Sequence, residues 1–431
     1  MLSAYQPRMW GIRMTPEEHA NPISTNEWNP SEWDAVREDG SSEPSQEAVP
    51  ESTHSQPPEE ISADKFSMDL SCDPQAAEYL KQHGADTVEN AFVLANILHT
   101  NKKVAEAAVA YKRAIDVHSK SPHQHPGVQV LLQVRLLCIL KSGQPLPQDE
   151  LQYLRSLNIP FANYIEGIAL SWREGQHRTG LEKIASAYDE FHTGEEADWL
   201  CLGVARRVTP SLFEATRSEG EASERIPRNI FMYWDQNPPE EIKRNFEYHS
   251  KIEGFNFKPF NKEEASNWLY EYYGTEARNI FHSLRHPAEC ADFLRVHITQ
   301  LLGGWWLDAD LRIKSADALN FMAQQDAQNV FFLTDNGVVH NDFYGTVANS
   351  AAMTDCLLSL YRNCYLFHHL YIAYKTGPGP FTRALNRVAH RAFSGIKVTE
   401  TTRIYEQSDF LNVVEEFDTP YKTYLPHWQA V

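Results

Sequence analysis

The chain has 431 residues, room for two to three domains, and its 42% hydrophobic and 12% aromatic content is enough for at least one full-sized core. Lys and Arg number 39 against 58 Asp and Glu, a formal charge of −19. The resulting pI near 5.4 argues against nucleic acid as a general partner, because phosphate binding needs a basic surface.

No stretch reads as a membrane span. The most apolar candidate, Val128 to Leu140, is interrupted by Gln133 and Arg135 and falls short of the roughly 20 residues required. Arg8, Arg13, Glu17 and Glu18 break up any secretory signal. The cysteines (Cys72, Cys138, Cys201, Cys290, Cys356, Cys364) show no CxxC spacing, which suits buried thiols in a reducing compartment better than disulfides or a zinc site. A cytoplasmic protein is the expectation.

Residues 1–66 are rich in Ser, Pro and Glu and lack an apolar period, so a disordered acidic tail is expected there. Residues 1–65 hold 13 acidic and 4 basic side chains, a net of −9, and the remaining 366 residues carry −10. Trp10, Trp28 and Trp33 are unusual in such a tail and are candidates for docking on the folded body or on a partner.

A helical domain is expected over 67–207. Ala91, Leu94, Ala95 and Leu98 share one face; after Asn101-Lys102-Lys103 come Ala107, Ala108, Tyr111, Ala114 and Ile115. Small residues at a close approach with a Tyr beside them suit an antiparallel helical hairpin. The spacing resembles a tetratricopeptide repeat, with the late proline only at Pro122, and a weaker echo runs through Tyr164, Gly167, Gly180, Ile184 and Ala187. A docking platform for a protein partner is the functional reading. A generic helical domain capping its neighbour is the alternative.

From Ile226 the texture alternates between strand and helix. Strands are expected at Asn229–Tyr233, Phe255–Phe260, Trp305–Leu307, Val330–Leu333 and Phe343–Val347. Helices are expected after Pro238-Pro239, over Lys262–Tyr273, over Pro287–Leu302 up to the Gly303-Gly304 stop, and from about Ala351. That order predicts an α/β domain over 226–431 with a mostly parallel sheet and ligands at the carboxyl ends of its strands.

The informative stretch is Asp292 and Arg295, one helical turn apart, followed by Gly303-Gly304-Trp305-Trp306-Leu307-Asp308-Ala309-Asp310. Two carboxylates at i and i+2, leaving a buried strand, can converge on one hard cation such as Mg²⁺ or Mn²⁺. Taken alone a D-x-D triplet is noise, since about one is expected by composition in a chain this acidic. Its setting lifts it: an apolar strand, a Gly-Gly stop, and an upstream Asp/Arg pair.

Together these residues resemble the DXD-containing sugar-transferase region of glycosyltransferase family 32 and of the related clostridial glucosylating toxins. Ala288, Asp292, Arg295, Gly303, Gly304, Trp306, Leu307, Asp308 and Asp310 stand at that pattern's places, with Ala291 for a Ser and Trp306 for a Tyr as departures. Ile226-Pro227-Arg228-Asn229-Ile230 to Trp234 resembles the family's opening, and Thr376-Gly377-Pro378 a segment found in many members. The likeness spans about 226–428.

The resemblance implies a GT-A (Rossmann-like) domain that transfers a sugar from a nucleotide-sugar, UDP- or GDP-linked, with retention and with Mn²⁺ or Mg²⁺. On that basis Asp308 and Asp310 would hold metal and diphosphate, Asp292 would bond ribose or sugar hydroxyls, and Arg295 would contact sugar or phosphate. Trp234 would stack on the base, Trp306 would line the donor site, and His427, beside Trp428, would complete the metal site. The Thr376–Pro380 loop would shape the donor-sugar or acceptor pocket, and Asn341 or Asp342, at the same rim, would contact the sugar. The expected acceptor is a glycan, a lipid-linked glycan or a protein, in polysaccharide or glycan synthesis. A non-catalytic helical scaffold with a degenerate transferase domain, and a nucleotide-sugar hydrolase, are the rival readings.

Overall fold

The computed structural model describes residues 66–120, 125–216 and 224–423. The expected acidic tail with its three tryptophans, and His427 with Trp428, lie outside the described residues. The chain divides into two compact units, Met1–Leu157 and Asn158–Val431.

The first unit is helical, with α1 Pro74–His83, α2 Val88–Thr100, α3 Val104–His118, α4 Val128–Lys141 and α5 Gln148–Leu157. Asp73 and Thr87 cap α1 and α2 by accepting from the Ala76 and Asn90 amides. Helices α2 and α3 form a hairpin across Asn101–Lys103, burying Ala91, Leu94, Ala95 and Leu98 with Ala107, Ala108, Tyr111 and Ala114. The alanines let the backbones approach, and the buried Tyr111 hydroxyl donates to Asn96 Oδ1 at 2.7 Å. Arg135 on α4 joins three helices through Glu150 of α5 at 2.8 Å and the Ala108 carbonyl of α3.

The second unit opens with α6 Ile159–Glu174, α7 His177–Ile184 and α8 Glu196–Val208. It continues with β1 Asn229–Tyr233, α9 Glu240–Ser250, β2 Asn256–Phe260, α10 Lys262–Ser283, α11 Pro287–Leu302, β3 Gly304–Leu307 and β4 Leu311–Ile313. Then come α12 Ala316–Ala323, β5 Asn329–Phe332, β6 Phe343–Thr346, α13 Ala351–Leu366, α14 Ile372–Lys375, α15 Pro378–Phe393, β7 Thr402–Tyr405, α16 Gln407–Val413 and β8 Val414–Glu416. A 3₁₀ turn, Pro420–Thr423, follows.

Six strands form a sheet in the order β2-β1-β3-β6-β5-β7, with β4 and β8 paired apart from it. Within the six, only β6 runs antiparallel to its neighbours. The expected mostly parallel sheet is therefore present. Strand alternation splits the paired tryptophans of β3 between its two faces. Trp305 and Leu307 join Ile230, Met232, Val330, Phe332 and Phe343 in one core. Trp305 stacks on Phe343 at 5.5 Å and covers Gly345, where a β-carbon would lie 2.7 Å from the indole. Trp306 points to the other face, where Tyr344 and Phe331 meet Phe381 of α15.

The chain divides at 157/158, and α6 to α8 belong to the same unit as the sheet. The hairpin of α6 and α7 is closed by glycines: a β-carbon on Gly167 would sit 2.5 Å from the Gly180 carbonyl. Helix α8 is tied to α15 by a fully buried ion pair, Arg383 Nε to Asp198 Oδ1 at 2.7 Å. The other arms of Arg383 reach Asp189 and the Phe191 carbonyl, both at 2.7 Å. In sequence Arg383 is one more charge on a helix, and nothing marks it as buried.

The expected Thr376–Pro380 loop is mostly helical: Pro378 begins α15. At Gly379 a β-carbon would meet the Gly194 amide at 2.9 Å, so this glycine serves a chain-to-chain approach. The short pair β4/β8, strand β7 and the second half of α10 beyond Gly274 carry weak signals, being three or four residues long or interrupted by a kink.

Candidate active site

Gly303 and Gly304 both have positive φ, 62° and 115°, and turn the chain from α11 into β3. A β-carbon on Gly304 would lie 2.9 Å from the Asn229 carbonyl, so the close packing of β3 on β1 requires glycine there. After four buried residues the strand ends and the chain turns. The Asp308 carbonyl accepts from Leu311 N at 2.9 Å, placing Asp308 and Asp310 at the first and third positions of a β-turn. Asp308 N–H donates to the Asp342 carbonyl at 2.8 Å, joining this turn to the 340–342 loop before β6. Trp234, at the end of β1, lies at the same carboxyl edge of the sheet.

Arg295 organises the upper face. Its Nη2 donates to Asp308 Oδ1 at 2.9 Å and pairs with Asp292 Oδ1 at 3.1 Å; its Nη1 donates to the Asn341 carbonyl. The guanidinium lies 5.2 Å from the Trp306 ring, and the Trp306 indole N–H donates to Asp308 Oδ1 at 2.7 Å. Asp292 also accepts from Asn341 Nδ2 at 2.8 Å and from the Thr376 hydroxyl at 2.9 Å. These contacts gather α11, β3, the 340–342 loop and the end of α14 around two carboxylates.

Burial pushes the Asp308 carboxyl up to about 7, with Arg295 opposing and Asp310 and Asp342 adding repulsion. Burial likewise lifts Asp292 to about 6 against the pull of Arg295. The Arg295 guanidinium itself is raised: burial works downward, and Asp308 and Asp292 outweigh it. In the adjoining loop His340 Nδ1 meets Asp342 Oδ1 at 2.9 Å, its ring stacked on Phe410 at 3.8 Å. Burial would lower His340, but Asp342 outweighs it and raises the imidazole, while His340 holds Asp342 below the usual range against its own burial.

Asp310 faces a different partner. Lys422 Nζ, from the Pro420–Thr423 turn, lies 2.8 Å from Asp310 Oδ2. Burial pulls the ammonium down, and Asp310 outweighs this and leaves it raised. The neighbouring Tyr421 N–H donates to Glu241 Oε1 at 3.1 Å, and its ring meets Trp234 edge-on at 5.0 Å. From α9, the fully buried Asn245 donates through Nδ2 to the carbonyls of Ala309 and Leu311, at 3.0 and 2.8 Å. Those carbonyls flank Asp310, so Asn245 clamps the turn that presents it.

The structure thus brings Asp292, Arg295, Trp306 and Asp308 into direct contact, and links Asp310 to Trp234 through Lys422 and Tyr421. His427 lies outside the described residues. Trp306 is fully buried and Arg295 only 3% exposed, so both position Asp308 and present almost no surface to a ligand. Trp234 is half-buried and its indole N–H donates to the Gln236 carbonyl at 3.1 Å. Asn245 and Lys422 escape sequence reasoning. An Asn mid-helix and a Lys near the chain end carry no motif, and only folding brings them to the turn.

Carboxylate oxygens are the ligands a hard divalent cation would take here. Two carboxylates leave one turn, and Asp310 already holds a cation, the Lys422 ammonium. Among the described residues no group of three or more His, Cys, Asp or Glu is gathered for a metal. Asp308 and Asp310 could hold one only with water and phosphate oxygens filling the other positions, as Mg²⁺ sites commonly do.

No family model matches the chain, and no curated protein matches it. Among solved structures the chain is similar to one described as "PaToxG Glycosyltransferase", with a TM-score of 0.32 and 16% identity, covering 52% of this chain and 88% of that one. A likeness of that size carries no functional argument. Among the described residues no helix is long and apolar enough to cross a membrane.

Proposed function

We propose that residues 226–431 form a GT-A type, metal-dependent retaining glycosyltransferase domain that moves a sugar from a nucleoside-diphosphate sugar to an acceptor hydroxyl. One observation carries this reading: the Asp308–Asp310 turn at the carboxyl edge of a mostly parallel sheet, with Asp308 held by Arg295, Trp306 and, through Arg295, Asp292. Ligands of open α/β sheets bind at that edge, and the side chains match the family 32 pattern. A bound Mn²⁺ or Mg²⁺ would neutralise charge on the departing diphosphate. Asp308 and Asp310 are its carboxylates in this reading; Arg295 and Trp306 fix the orientation of Asp308, and the buried Asp292, expected from the resemblance to bond ribose or sugar hydroxyls, has both oxygens engaged by Arg295, Asn341 and Thr376. The helical unit, with its small-residue hairpin, is read as a tetratricopeptide-like docking platform.

The test is donor hydrolysis over a panel of UDP- and GDP-sugars with Mn²⁺. Turnover of one donor is expected, abolished by chelator and by Asp310→Asn. Absence of turnover together with absence of metal-dependent nucleotide binding would leave a non-catalytic scaffold. Sugar release at a rate indifferent to every acceptor would mark a hydrolase.

A further inference from the structure

The Lys422–Asp310 pair has no place in the family pattern, yet it sits where a cation would be needed. Its two side chains are part-exposed, 33% and 28%, so solvent and a ligand can reach the pair. The turn that delivers Lys422 is short and rests on Asp310, on Glu241 through the Tyr421 amide, and on the edge of Trp234. Asp310 is flanked by Asp308, and Asp342 lies close enough to Asp308 to repel it. With Arg295 on Asp308, the Lys422 ammonium on Asp310 lowers the repulsion within this acidic turn.

A divalent cation that took Asp310 Oδ2 and an ammonium on the same oxygen would repel one another strongly at contact distance. Sharing that oxygen would drive the ammonium off as the metal enters. A nucleoside diphosphate arrives with several negative charges, and a lysine on a flexible stem, with three donors, is suited to phosphate oxygens. Resting on the donor-site reading above, we propose that Lys422 is an exchangeable cation. It neutralises Asp310 in the free enzyme, yields that carboxylate to the metal, and transfers to the diphosphate of the bound nucleotide.

This exchange predicts opposite effects from one substitution. Lys422→Gln removes a competitor, so Mn²⁺ alone, followed by the loss of its free-ion electron paramagnetic resonance signal, should bind up to about fivefold more tightly, the range of a part-exposed ion pair. The same variant loses a phosphate partner, so UDP, GDP or inorganic pyrophosphate, titrated calorimetrically in saturating Mn²⁺, should bind about tenfold more weakly. Lys422→Arg, which keeps the charge, should stay near wild type in the second titration. A structural role alone would not move the two constants in opposite directions.

Asp310→Asn separates the two levels of the argument. If it removes Mn²⁺ binding while Lys422→Gln leaves either constant unchanged, or moves both the same way, the exchange is overturned and the metal site stands. If Mn²⁺ binding survives Asp310→Asn, or no form of the protein binds Mn²⁺, the donor-site reading falls and the exchange with it.

Discussion

Two N–H groups, from Arg295 and Trp306, converge on a single oxygen of Asp308. Asp292 meets the same Nη2 at 3.1 Å, so the three charges form one largely buried unit. Removing the cation strands two carboxylates in a low-dielectric setting, where an uncompensated charge costs about 3–5 kcal/mol. Arg295→Met should therefore lower the unfolding free energy by about that amount in urea titration. The Asp292→Asn/Arg295→Met double variant should recover part of it, because one stranded charge is gone. Elsewhere His249 makes a pH prediction. Its Nδ1–H donates to the Asn245 carbonyl at 2.8 Å, and its Nε2 accepts from Ile313 N–H at 3.3 Å, so the ring is neutral. Burial lowers it to about 4, with Arg312 adding and the Asn245 bond opposing. Because its folded pKa lies below the ordinary value of about 6.5, the unfolded state binds the extra proton. The stability it contributes is complete above about pH 6.5 and is lost as pH falls toward 4. Thermal midpoints measured across that window should fall less steeply in His249→Gln than in wild type.

The elements that carry the site are joined at places where only one residue type fits. Gly304 is the sharpest case, since it combines a φ of 115° with a would-be β-carbon 2.9 Å from the Asn229 carbonyl. Strain in the backbone and a clash with β1 act together, so Gly304→Ala should displace β3 from its neighbour and the Asp308 turn with it. The expected result is a fall in thermal midpoint of several degrees, as a loss of about 1–3 kcal/mol implies, and weakened Mn²⁺ binding. An unchanged midpoint would mean that β3 shifts without cost. Much of this level was legible from the chain. Pro287 opens α11 and Gly303 stops it, and a run of apolar residues before Asp308 makes β3. Strands β4 and β8 were not legible, since three residues paired across a hundred leave no local period. The clamp by Asn245 was hidden for the same reason: its hydrogen bonds go to carbonyls that no side chain announces.

For the whole molecule, the division at 157/158 means that α6 to α8 are integral to the unit that holds the site. Arg383 of α15 is fully buried and finds its acceptors on α8 and just before it, at Asp198, Asp189 and the Phe191 carbonyl. A fragment of residues 156–431 should fold with a cooperative melt. A fragment of residues 226–431 leaves that guanidinium without partners and should be unfolded or aggregated by circular dichroism and gel filtration. A folded 226–431 fragment would show that the helices are dispensable. The amino-acid sequence by itself determined the helical texture that precedes Ile226, the alternating α/β texture after it, and the placement of Asp292 and Arg295 one turn apart ahead of a strand that runs into Asp308. These follow from local period, caps and glycine stops, which need no knowledge of distant residues. Only the tertiary structure decided which helices accompany the sheet, that Trp306 and Arg295 are buried supports for Asp308, and that Asn245 and Lys422 meet at the Asp310 turn. Those depend on pairings between remote segments, where burial and charge acquire meaning only once the partners have come together.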